Sequence, residues 1–200
     1  MVEPNGGRVN QKRRTRNAIL AAASELIRAG GPVTMPEVAR AAEVSEATAY
    51  RYFPDLASLL REAVSGTLFE PAEALAPVAD CADPFARIAV ATEHLLHHVL
   101  KHQSVVRAMI AATITRPADT AARPGLRIGL IDHALAAPAD LGSLEGSALA
   151  QLKRDLAVVI SAEALFGLTD LHGLPPEEAV RSLVHTAKTL VKAALAEERR

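Results

Sequence analysis

The chain has no tryptophan, a single cysteine and six aromatic residues in 200. Cys81 alone excludes a disulfide framework and any zinc site built from several cysteines. No apolar run reaches the roughly eighteen residues a membrane span needs. The nearest stretch, 156–168, is interrupted by Glu163. The polar, basic start lacks the apolar segment of a signal peptide. Neither sign of charge is in excess: 22 Lys and Arg stand against 23 Asp and Glu, a net charge of −1. What remains is aliphatic. Hydrophobic residues make up 50% of the chain and charged ones 22%, enough to bury a core and too apolar for general disorder. The expectation is a cytoplasmic protein of one large or two small domains.

Alanine and leucine dominate, and no segment alternates with period two between hairpin turns. Apolar residues recur at three and four, which predicts an all-α fold of about nine helices. Residues 1–10 read as a flexible arm. A first helix from residue 11 carries the stripe Ile19, Ala23, Leu26 and Ile27 and stops at Gly30-Gly31. Thr34 and Glu37 have capping-box spacing for a short helix over 35–42. Ser45 caps a third over 46–52, and Asp55 a fourth running to about residue 69. A Pro/Ala-rich linker over 71–84 precedes helices over 85–102 and 105–114. A mobile loop is expected over 115–125, then a helix over 126–136. Two long helices, 147–171 and 175–197, close the chain, the last with proline and acids in its first turn.

The short helices over 35–42 and 46–52, three residues apart, have helix-turn-helix proportions. Val38 and Ala39 face inward, Ala42 is small at the closest approach, and Val44 plugs the turn. Ala47 and Ala49 keep the third helix slim enough for a major groove about 12 Å wide. Thr48, Tyr50, Arg51 and Tyr52 supply hydroxyls and a guanidinium for phosphates and base edges. Lys12, Arg13, Arg14 and Arg16 form a basic cluster, and residues 1–16 hold five Lys/Arg and one acid, 5 − 1 = +4. That local asymmetry is an electrostatic footprint for nucleic acid.

The stretch Thr34-Met-Pro-Glu-Val-Ala-Arg-Ala-Ala-Glu-Val-Ser-Glu-Ala-Thr-Ala-Tyr-Arg-Tyr-Phe53 resembles the TetR family of bacterial transcriptional regulators. The resemblance covers residues 11–69; residues 70–200 share only helicity and length with the family. It implies a DNA-binding domain at 11–69 and an effector-binding and dimerisation domain at 70–200. It further implies a homodimer through the last two helices, bound to double-stranded operator DNA. Release by a small-molecule effector would make it a repressor and not an enzyme. Thr34 would then cap its helix and touch phosphate, while Thr48, Tyr50 and Tyr52 contact phosphates and bases. Ser45 and Glu46, at the groove end of the third helix, join the expected DNA-binding set. Glu46 repels phosphate unless it accepts from a cytosine amino group. Glu43 stands where the family has glycine, so it either accepts a positive φ or the turn differs. Leu56 replaces a commonly phosphate-contacting lysine.

His94, His98 and His102 are spaced by four and share a helix face, flanking the stripe Ile88, Thr92, Leu95, Leu96 and Val99. The plain reading is a partly exposed boundary row; His-x₃-His is also half of a zinc or nickel site. No metal site or cofactor is expected. Candidate effector-lining residues are Thr92, His94, Leu95, His98, Met109 and Phe166. With so few aromatics beyond Phe53, the expected effector is aliphatic or weakly polar rather than a planar cation. The alternative function is a helical metal- or small-molecule-binding protein whose helix-turn-helix has weakened or lost DNA binding. Ser161, Glu163, Asp170 and His172 lack the strand-to-helix elbow of a hydrolase and read as polar residues at a core edge.

Overall fold

The computed structural model describes residues 6–30, 33–65, 68–115, 125–136, 144 and 146–197. Among them the regular structure is helical: eleven α-helices and no strand. They are α1 (Gly6–Ala29), α2 (Met35–Ala41), α3 (Glu46–Tyr52), α4 (Leu56–Ala63), α5 (Pro71–Ala74), α6 (Pro84–Lys101), α7 (Gln103–Thr115), α8 (Leu126–Leu135), α9 (Ser147–Val159), α10 (Ala162–Phe166) and α11 (Pro176–Glu197). None is long and apolar enough to cross a membrane.

The chain forms two compact units. The first joins residues 1–68 to 102–124. Its core takes Ile19 and Ala23 from α1, Val38 from α2, Ala49 from α3, and Leu59 and Leu60 from α4. Val105 and Met109 of α7 complete it. Ser104 donates to the Gly30 carbonyl at 2.8 Å, tying the start of α7 to the orphan end of α1. The expected domains, 11–69 and 70–200, are continuous in sequence; the packed units are not, because α7 belongs with α1–α4.

The second unit holds residues 69–101 and 125–200. Its centre is α6 packed on α11 and α8, with α9 against α8 and α11. Ile88, Leu96, Leu130, Leu156, Ile160 and Leu165 are wholly buried there. Arg87 is buried too, at 2% exposure. Its guanidinium donates to the carbonyls of Ala134 (2.9 Å) and His133 (2.9 Å) at the end of α8. It also donates to Val78 (2.8 Å) and Ala79 (3.2 Å) in a 3₁₀ turn. Carbonyls without intrahelical partners thus solvate the charge.

Several boundaries differ from the sequence reading. The expected arm is helical from Gly6. The fourth helix ends at Ala63, capped at Val64, well before residue 69. The linker over 71–84 contains α5 and the 3₁₀ turn. The single helix expected over 147–171 is three pieces. Ile160 leaves helical geometry at ψ 69°, and extended Ser161 caps α10 by accepting from the Ala164 N–H at 3.1 Å. A π-turn, Gly167–Leu171, follows. The expected loop over 115–125 lies, for 116–124, outside the described residues.

Candidate nucleic-acid interface

Each end of the helix-turn-helix is fixed by its own sequence. The Thr34 side chain accepts from the Glu37 N–H, and Glu37 accepts from the Thr34 N–H at 3.0 Å, closing the capping box. Ser45 Oγ accepts from the Thr48 N–H at 3.2 Å and lies 2.9 Å from the Thr48 hydroxyl. Asp55 accepts from the Ser58 N–H at 2.7 Å. Such caps are worth about 1 kcal/mol each. In the turn, Glu43 adopts φ +55°, the only non-glycine with positive φ among the described residues. The turn keeps its glycine-type geometry, and Glu43 carries the strain.

Ala49 is the anchor of α3, with no exposed surface, so its small size serves packing rather than groove entry. Glu46, Ala47, Tyr50 and Arg51 are exposed and share the opposite face. Tyr50 stands 48% exposed. Thr48 is half-buried at the Ser45 cap, and Tyr52 packs against the core with the Arg51 guanidinium 5.5 Å over its ring. Ala47 was not among the expected DNA-binding residues; its i+1 and i+4 relations to exposed Glu46 and Arg51 were the available signal.

The basic cluster divides. Lys12, Arg13 and Arg14 are exposed on α1. Arg16 instead makes two parallel 2.5 Å hydrogen bonds to the Glu62 carboxylate of α4 and lies 4.9 Å over the Phe53 ring. Its hydrogen bonding to Glu62 pushes the guanidinium pKa further up. Arg16 thereby joins α1, the end of α3 and α4. Leu56 packs on the same core, which accounts for an apolar residue at that site. By sequence the first unit carries 12 Lys/Arg and 8 Asp/Glu, 12 − 8 = +4, and the second 10 and 15, 10 − 15 = −5. The charge that is nearly zero overall is segregated by unit.

The effector candidates are divided between the two units. Met109 belongs to the first unit's core. Thr92 is fully buried and donates to the Ile88 carbonyl at 2.6 Å. Phe69 meets His94 and His98 edge-on, with ring centroids 4.4 and 5.1 Å apart. Burial, and then His97, lowers the His94 pKa. His97 itself pairs with Glu177 at 3.1 Å. Leu95 and Phe166 are buried apolar residues of the second unit. No cluster of three His, Cys, Asp or Glu able to hold a metal occurs among the described residues.

A core-anchored short helix capped by Ser45, with an exposed polar face, on the same cationic unit as an exposed basic helix, defines a helix-turn-helix DNA-binding transcriptional regulator. Residues 19–63 match the family described as "Bacterial regulatory proteins, tetR family". The fold is similar to that of a TetR transcriptional regulator from Rhodococcus sp. RHA1, at 21% identity, a TM-score of 0.52, and coverage of 90% of this chain and 97% of that one. A second solved structure is NalD of Pseudomonas aeruginosa, the secondary repressor of the MexAB-OprM multidrug efflux pump. It is 20% identical, with a TM-score of 0.46 over 88% of this chain and 95% of that one. No curated protein matches the sequence.

Proposed function

We propose that the protein is a cytoplasmic, ligand-responsive repressor that binds operator DNA as a homodimer and is released by a small molecule. The observation that carries the DNA-binding half is the outward face of α3, which serves no core. Tyr50, Arg51 and Glu46 on that face, with Thr34, Ser45, Thr48 and Tyr52 around it, contact bases and phosphates. Arg13 and Arg14 contact the phosphate backbone. The effector binds the second unit and favours a conformation with mismatched half-sites, so that differential affinity weakens operator binding.

The test is operator titration of Tyr50→Ala and Thr48→Ala. Each loses about 1–3 kcal/mol of operator affinity while its melting curve stays that of the wild type. Wild-type affinity in both variants would remove α3 from the interface. For release, candidate effectors are screened by thermal shift and then by operator dissociation. Aliphatic or weakly polar compounds are expected to score, and planar cationic dyes are not.

A further inference from the structure

Along α11, Arg181, His185, Lys188 and Lys192 recur at steps of four, three and four, which sets them on one helix face. All four are exposed, and none forms an ion pair among the described residues. They stand on the unit whose sequence charge is −5. Together with Phe85 of α6 and Val184 they line a groove of about 380 Å³, and no acidic side chain lines it. Thr189, which also lines it, already donates to the His185 carbonyl at 2.9 Å, so its oxygen is left only to accept.

We infer that this groove between α6 and α11 binds a small organic phosphate carrying two or more negative charges on an apolar or aromatic body. One exposed ion pair contributes little, so a ligand held here needs several anionic oxygens at once. An arginine fork and two ammonium groups within a rise of about 16 Å suit a polyphosphate or bisphosphate. The Phe85 ring and the Val184 methyls give the apolar wall that an inorganic anion leaves unused. The volume lies within the range of small-molecule sites, about 300–1,000 Å³. Seven residues line the groove, far below the roughly 20–30 per side of a stable protein interface. None of its lining residues is among the six effector candidates or the α3 residues named above.

The experiment is calorimetric titration of the full chain with three probes at fixed ionic strength: inorganic triphosphate, adenosine triphosphate and an oligoglutamate peptide. Adenosine triphosphate is expected to bind at least tenfold more tightly than triphosphate. The double variant Lys188→Gln/Lys192→Gln should weaken both at least tenfold. Phe85→Ala should abolish the preference between them while leaving triphosphate binding in place. Both variants should melt as the wild type does and bind DNA unchanged, because none of these residues belongs to the α3 face or to the α1 cluster. Failure of α3 variants to alter DNA binding would bear on the regulator reading and leave this one standing. Equal binding of all three probes, binding unaffected by the lysine substitutions, or no binding at millimolar probe overturns the inference. Tighter binding of oligoglutamate overturns it in favour of an acidic protein partner.

Discussion

Glu43 occupies a backbone conformation that side chains with a Cβ disfavour by about 1 kcal/mol or more. Glu43→Gly is therefore expected to raise stability by about 0.5–1 kcal/mol in denaturant unfolding, part of the relief being offset by glycine's larger unfolded-state entropy. A loss of stability would mean that the glutamate side chain itself supports the turn. Arg16 raises a different question, because sequence alone groups it with Arg13 and Arg14. The bidentate bridge to Glu62 leaves it occupied, while its two neighbours are exposed. Arg16→Gln/Glu62→Gln removes the pair at constant net charge. Its slope of log K against log salt is expected to match the wild type. Arg13→Ala/Arg14→Ala should flatten that slope by about one unit per lost contact per subunit, on any DNA sequence. A flattened slope in the first variant would return Arg16 to the phosphate backbone. Nothing in composition or spacing distinguishes these arginines; the distinction needs Glu62, 46 residues away.

At the scale of elements, the sequence is most readable where structure is made locally. α2, α3 and α4 start where expected, because Thr34, Ser45 and Asp55 each cap a backbone N–H three residues on. The exposed face of α3 is less legible, because residue type does not say how far each side chain stands out: Thr48 and Tyr52 are half-buried, while the plain methyl of Ala47 faces outward. The stretch 147–171 misled for a related reason. Its apolar spacing continues through the break, since Leu156, Ile160 and Leu165 all still reach the core. The signals against one helix were Ser161 and, two residues on, Glu163 in the first turn of α10. Ser161→Ala is expected to cost about 1 kcal/mol of stability by equilibrium unfolding, through loss of the α10 cap. An unchanged midpoint would show that α10 holds without it.

For the whole molecule, the least legible fact is which helices share a core. Periodicity marks the apolar face of α7 and does not say which unit that face enters; packing of Val105 and Met109 decides it. α9 and α11 leave apolar surface open to a partner. A groove of about 460 Å³ between them is walled by Leu144, Ala148, Leu152, Leu190, Ala193 and Ala194, and Val158 nearby on α9 is 72% exposed. A second copy packing these helices against its own would make a four-helix bundle on a two-fold axis. Ala193→Glu, which adds a carboxylate to a groove already lined by Asp155, should convert a micromolar dimer to monomer in sedimentation while the melting curve stays intact. A wild-type monomer, or a variant that still dimerises, would place the interface elsewhere. The seat of α7 also bears on birth at the ribosome. Residues 19–63 emerge first, but the pocket that Val105 and Met109 fill stays open until the whole of α6 has been translated. α6 in turn must wait for α8 and α11. The nascent chain therefore carries two half-built cores at once, and the interval in which chaperones have purchase on it runs well past synthesis of the DNA-reading helices.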